Sequence, residues 1–196
     1  LDVEAPVAKY WPEFGANGKA HLTVAHCLSH TGGLPTFPVA SGITTPDFVD
    51  WDKCTRALAG ATPLWDPGAH ASYHAITYGF LVGEVIRRIA GKSFGTFFAD
   101  EVAKPLGLEF WIGLPDAEQK RVAPHIPPQG ADFPSVMGGA GVNVNHPIMF
   151  EILAGFDAIA DAVDFFNTPA GRAAELPAGN GVANARSLAK MYAACI

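Results

Sequence analysis

A chain of 196 residues is one domain's worth of protein or part of a larger one, and with 49% hydrophobic and 16% charged residues it can bury a sizeable core. A formal charge of −6, with no cluster of lysines and arginines, excludes a nucleic-acid partner held through its phosphates. No apolar run approaches the roughly 20 residues needed to cross a bilayer, so no membrane span is expected.

Residues 1–20 are punctuated by Pro6, Pro12, Gly15 and Gly18 around an extended or short helical Val7-Ala8-Lys9-Tyr10-Trp11. Thr23 is a suitable N-cap for a helix through Val24, Cys27 and Leu28, which Gly32-Gly33 ends. A loop with Pro35, Pro38, Gly42 and Pro46 leads to a helix at about 47–60, apolar at Phe48, Trp51, Cys54 and Leu58. Pro67-Gly68 sets a rigid turn. From Ile76 to Ile89, Tyr78, Leu81, Val82, Val85, Ile86 and Ile89 form one apolar stripe. Glu84 and Arg88 sit opposite it at pairing distance, and Gly91 closes the helix. Ser93 caps a further helix that turns Phe94, Phe97, Phe98 and Val102 inward and stops at Pro105-Leu106-Gly107. Phe110 to Gly113 is a candidate short strand, Pro115-Asp116 begins a helical turn, and 121–125 reads as extended. Residues 127–147 are rich in glycine and proline and predict a long surface loop, with helical pattern returning at about 147–155 and 158–166. Asn184 caps a last helix with Leu188, Met191, Tyr192 and Cys195 on one stripe. The chain is therefore expected to be mainly α-helical with at most short strands. Cys27, Cys54 and Cys195 are odd in number and scattered, which reads as reduced thiols and favours the cytoplasm.

Tyr73 and His74 fall just past the Pro67-Gly68 turn, at the mouth of the helix that begins near Ile76, a good place for a polar side chain that faces a cleft. On local grounds, packing plus one hydrogen bond explains a tyrosine there as well as chemistry does. Four blocks then occur in order through nearly the whole chain. They are Leu28-Ser29-His30-Thr31-Gly32-Gly33-Leu34-Pro35, Trp65-Asp66-Pro67-Gly68 with Tyr73, Lys104-Pro105-Leu106-Gly107-Leu108, and Asn184-Ala185-Arg186-Ser187-Leu188. Together they resemble the serine β-lactamase-related family of class C β-lactamases, penicillin-binding proteins, and esterases and acyltransferases of the same fold.

The resemblance implies an α+β fold for the full family domain, with a helical subdomain between two sets of sheet strands. Residues 1–196 are then a single partial domain carrying that subdomain. It also implies a seryl acyl-enzyme formed on a Ser-x-x-Lys motif, a tyrosine working with the lysine as proton shuttle, and a Lys/His-x-Gly strand beside the oxyanion. A neutral serine hydroxyl needs an adjacent base, and a phenol serves as one only where nearby cations favour the phenolate.

By position Tyr73 matches the family tyrosine and is the expected catalytic residue. Ala75 stands where class C β-lactamases carry an asparagine for the substrate's side-chain amide, which favours carboxylester hydrolysis or acyl transfer. Three residues are expected at the substrate. His74 either lines the cleft or is a solvated histidine, and Asn180 with Gly181, in the loop before the last helix, either touches substrate or makes a plain turn. The implied partner is a small ester or amide, with no cofactor, metal or nucleic acid; the sequence carries no signature of oligomeric state.

The Ser-x-x-Lys motif is expected ahead of Leu1 and the Lys/His-x-Gly strand beyond Ile196, so the segment alone is expected to be inactive. Two strings mimic these motifs. Ser187-Leu188-Ala189-Lys190 lies after the tyrosine with Lys190 turned from the apolar stripe, and reads as a helix-surface pair. His30-Thr31-Gly32 sits at a helix end rather than on a strand, and reads as a helix-ending turn. Two rivals stand beside the hydrolase: a catalytically incomplete binding module, and a helical metal protein built on the i, i+4 pairs His26/His30 and His70/His74. Neither pair carries the glutamate of a His-Glu-x-x-His site, and no third ligand can be named.

Overall fold

The computed structural model describes residues 1–126, 152 and 162–196. In chain order its helices are α1 (Val24–Leu28), α2 (Trp51–Gly60), α3 (Thr77–Ala90), α4 (Phe94–Phe98), α5 (Lys104–Leu106), α6 (Ala162–Phe166), α7 (Pro169–Ala173) and α8 (Ala185–Ala193). Strands β1 (Phe110–Trp111) and β2 (Val182–Ala183) pair antiparallel, Phe110 opposite Ala183 and Trp111 opposite Val182. The described chain is thus mainly helical with one short sheet, as its patterning predicts. No helix among the described residues is long and apolar enough to cross a membrane. The loop expected at 127–147 and most of the helical pattern at 147–161 lie outside the described residues; Ala162–Phe166 is helical.

The start signals in the sequence are real caps. Thr23, Ser93 and Asn184 each accept the backbone N–H three residues on, from His26, Thr96 and Ser187. Gly91 closes α3 in the left-handed conformation at φ +66°. The helix expected over 47–60 is instead divided. A 3-10 turn spans Thr45–Val49, and the Asp50 carboxylate then accepts the Lys53 N–H at 2.8 Å, so that α2 begins anew at Trp51.

The core gathers on α3. Phe80 lies 5.1 Å from the Trp51 ring, 5.8 Å from Phe37 and 6.2 Å from Phe48, with Trp11, Phe14, Leu22, Leu58 and Leu176 buried around them. Gly83 lets α2 approach: a Cβ there would stand 2.6 Å from the Trp51 indole. Glu84 departs from expectation. It does not lie on the outer face but is fully buried, held by Arg87, Arg88 and the Trp51 indole N–H.

The C-terminus of α2 is finished by a second segment. Lys19 Nζ donates to the carbonyl of Ala59 at 3.0 Å and to that of Ala61, while Asn17 Nδ2 donates to Gly60 O at 2.7 Å. These side chains satisfy carbonyls that the helix itself leaves without partners. The apolar stripe of α8 is present but largely uncovered, Leu188 being 40% and Tyr192 65% exposed.

Candidate active site

The residues around Tyr73 are organised by two segments lying against each other. The first leaves α1, whose N-terminus is a reciprocal cap: Thr23 Oγ1 accepts the His26 N–H, and His26 Nδ1 accepts the Thr23 N–H, both at 3.2 Å. The chain then turns at His30, which adopts the left-handed conformation at φ +60° and ends the helix before Gly32 is reached. The second segment runs from Leu64 to the start of α3.

Their docking is a ladder of hydrogen bonds. Leu64 N–H donates to Gly33 O at 2.8 Å, and the Thr31 carbonyl accepts both Gly68 N–H at 3.0 Å and the Trp65 indole N–H at 3.2 Å. Ser72 N–H donates to His30 O at 3.1 Å, and His74 N–H donates to His30 Nδ1, also at 3.1 Å. Thr77 Oγ1 then fastens the first turn of α3 to Leu34 O at 2.6 Å. The glycines of the first segment make this approach feasible: at Gly33, φ +78°, a Cβ would stand 2.7 Å from Trp65 O.

Residues 71–74 form no regular element, and their exposure alternates, Ala71 and Tyr73 being exposed, Ser72 half-buried and His74 buried. His74 points inward, and its ring is fully buried. Its Nε2 accepts the Leu34 N–H at 3.1 Å and its Nδ1 faces Ser72 O at 2.6 Å, which fixes the Nδ1–H tautomer. Burial pushes its pKa down to about 4, with the bond to Ser72 O opposing and the nearby His30 assisting. Of the two readings left open for His74, solvated or cleft-lining, the structure shows neither: both ring nitrogens are spent inside the protein.

Tyr73, the intervening residue, points outward and is 68% exposed. Its ring lies 5.0 Å from that of His30, which in turn lies 4.8 Å from Tyr78. The Tyr73 hydroxyl donates to and accepts from no described residue, and Tyr73 does not line the cavity of about 490 Å³ between Leu34, Phe37 and Ala57. The phenol is presented on the surface, not enclosed.

Asn180 is buried, and its amide is fully used between its own loop and the end of α7. Oδ1 accepts the Leu176 N–H at 3.0 Å, and Nδ2 donates to Gly171 O at 2.8 Å and to Ala174 O. Gly181 passes close over Phe110, where a Cβ would stand 2.8 Å from the ring. The turn before them rests on α3, the Ala178 backbone N–H lying 2.6 Å from where a Gly79 Cβ would stand. Asn180 therefore staples this turn, and Gly181 lets the chain enter β2.

The other nucleophile candidates are occupied. Ser187 is not on a helix surface: it is buried, and its Oγ accepts the Glu109 N–H at 2.9 Å while Lys190 is exposed. Cys27 and Cys54 are buried, and burial pushes both thiols up to about 12, far from reactive thiolates. Among the described residues no three His, Cys, Asp or Glu side chains converge as metal ligands. In the sequence His30 reads as part of a helix-ending turn and as half of the His26/His30 pair; its grip on the Tyr73 arm spans 44 residues and leaves no local signal.

Residues 1–194 match the protein family described as Beta-lactamase. This chain belongs to the β-lactamase family. It is 39% identical over 196 residues to the esterase/beta-lactamase LipL of Mycobacterium tuberculosis, covering 99% of this chain and 44% of that one. In structure it is similar to EstA from Arthrobacter nitroguajacolicus Rue61a, with a TM-score of 0.81 at 35% identity over all of this chain and 50% of that one. A family VIII carboxylesterase superposes with a TM-score of 0.75 at 38% identity, over 99% of this chain and 48% of that one. This β-lactamase-family chain thus spans about half the length of these relatives.

Proposed function

We propose that these residues are the helical part of a β-lactamase-family carboxylesterase that works through a seryl acyl-enzyme. The serine and its lysine belong to chain outside these 196 residues, and Tyr73 carries the proton. As the serine oxygen attacks the ester carbonyl, its proton passes to the Tyr73 oxygen and from there to the departing alkoxide. In the second half a water molecule attacks the acyl-serine, its proton following the same route back to the serine oxygen. On this reading the 196 residues alone form no acyl-enzyme. Separately, the odd, scattered cysteines, free in the structure, favour a cytoplasmic location.

The observation that carries this reading is the Tyr73 arm: an outward-facing phenol on a backbone fastened on both sides of it, at Ser72 and His74. Relatives named as esterases, and Ala75 in place of an amide-binding asparagine, favour an ester as substrate.

Fluorophosphonate labelling of the whole gene product tests the proposal, with the modified residue mapped by mass spectrometry. The expected result is a single labelled serine outside these 196 residues, and a kcat for a short-chain p-nitrophenyl ester that Tyr73→Phe lowers by roughly 10²–10⁴-fold. A p-nitrophenol burst from the 196-residue chain that Ser187→Ala abolishes would overturn it, as would undiminished turnover in Tyr73→Phe. A gene product that takes up no label at all would leave a binding module instead.

A further inference from the structure

Tyr73 is flanked by two backbone N–H groups, and a single residue accepts both. Ser72 N–H goes to the carbonyl of His30, and His74 N–H goes to its Nδ1, each at 3.1 Å. The His30 ring lies 5.0 Å from the phenol ring between them. An Nδ1 that accepts a hydrogen bond carries no proton, so the His30 ring proton resides on Nε2.

This grip requires an uncommon backbone. At φ +60°, His30 is one of two non-glycine residues in the left-handed region among the described residues, Asn17 being the other. That conformation costs a residue with a Cβ roughly 1–2 kcal/mol. Glycine would remove the strain at once and is present two and three residues on, at Gly32 and Gly33. Keeping a histidine there makes sense for what its ring does.

We infer that His30 is a positioning residue for Tyr73: by accepting at its carbonyl and at Nδ1 it fixes residues 72–74, and so the direction in which the phenol leaves the backbone. The inference rests on the reading of Tyr73 as proton carrier. A proton carrier misplaced by an ångström loses much of its effect, whereas binding of the ester is little changed.

Two variants separate side chain from backbone. His30→Gly relieves the left-handed strain and removes the Nδ1 acceptor. His30→Asn tolerates the left-handed region and places an Oδ1 close to where Nδ1 stood. In the whole gene product, His30→Gly is expected to lower kcat roughly tenfold or more at a nearly unchanged KM and melting temperature, with His30→Asn restoring most of it. In the same variants, hydrogen exchange at the His74 amide should speed up roughly fivefold or more for glycine and return toward the native rate for asparagine.

A glycine variant with native kcat overturns the inference, as does an asparagine variant no better than glycine. If Tyr73→Phe leaves kcat intact, the proton-carrier reading fails and the catalytic purpose of His30 with it. Faster His74 exchange in His30→Gly would then show that the grip on the backbone is real, so the two failures are told apart.

Discussion

The Trp51 indole N–H donates to Glu84 Oε2 at 2.7 Å, joining α2 to α3 through a carboxylate that has no solvent exposure. Arg87 and Arg88 complete its hydrogen bonds, and Arg88 extends the chain of charges to Glu13. Burial alone would raise the Glu84 pKa, but the bonds from Arg87, Arg88 and Trp51 outweigh it and hold the carboxyl below its usual range. Removing the carboxylate strands a part-buried indole N–H and takes their shared partner from two partly buried guanidinium groups, leaving Arg88 to Glu13 and Arg87 to the more distant Asp52. Glu84→Ala is therefore expected to cost about 3 kcal/mol, and Glu84→Gln about half of that, because an amide oxygen still serves Trp51. Urea midpoints at an unchanged m-value read this directly. A loss under about 0.5 kcal/mol for Glu84→Ala would show that the network contributes nothing net.

His74 predicts a second dependence, this time on acidity. Its native pKa is pushed to about 4 by burial, against roughly 6.5 in an unfolded chain. Between those values the unfolded state binds the extra proton, so stability is complete above about pH 6.5 and falls as the solution is acidified toward pH 4. The full effect is up to about 3 kcal/mol at 1.36 kcal/mol per unit. The carboxylates of Glu13, Asp47 and Glu84, all held below their usual range, lose their contribution only at more acidic pH and do so in either protein. The measurement is the stability difference between the native chain and His74→Gln, which should shrink steadily from pH 7 to pH 4.5. A difference that stays constant means that the ring titrates alike in both states.

What the sequence disclosed, and what it withheld, divides along reach. Caps act over three residues, so Thr23, Ser93 and Asn184 could be read locally, as could the end of α3 at Gly91. The Tyr73 block was legible through the order of its motifs, though not through any local pattern. Glu84 was misread as outward because its partner Trp51 lies 33 residues away, and burial of a charge is decided by the partner. Residues 72–74 looked like a helix mouth; their alternation, with Tyr73 outward and His74 inward, is imposed by His30 and Leu34 from 40 or more residues upstream. The apolar stripe of α8 was legible as a stripe, but periodicity states that a face is apolar and not what covers it.

Two left-handed glycines offer a matched comparison. Gly33 at φ +78° has Trp65 O and the Pro63 side chain within 3 Å of where a Cβ would stand, whereas Gly91 at φ +66° has nothing within 4 Å. Gly91→Ala should therefore show only the conformational strain, about 1 kcal/mol. Gly33→Ala carries the same strain plus separation of the two segments that hold Tyr73, and is expected to cost roughly 3 kcal/mol or more. It should also shift the fluorescence of the buried Trp65 to the red. Equal losses in the two variants would mean that the Gly33 contact yields without resistance.

Lys19 gives the alkaline counterpart. Its side chain is fully buried, with no carboxylate beside it among the described residues; Nζ donates to the Ala59 and Ala61 carbonyls and lies 5.2 Å from the Phe14 ring centre. Loss of water pulls its pKa down to about 8, while an unfolded lysine titrates near 10.4. Between these values the unfolded chain holds the proton that the native one has released, so stability from this group rises as pH climbs from 8 toward 10.5. Lys19→Met keeps the length of the side chain and has no proton to exchange. At pH 7.5 it relieves the burial of a charge but leaves two carbonyls without a donor, and the two effects should nearly cancel. At pH 10 the native lysine is neutral, still donates an N–H and no longer bears the desolvation cost, so the native chain should gain roughly 1–2 kcal/mol on the methionine variant. Urea unfolding of both proteins at pH 7.5, 9 and 10 decides it: if the gap between them does not move with pH, the ammonium at the end of α2 is as well solvated in the folded chain as in the unfolded one.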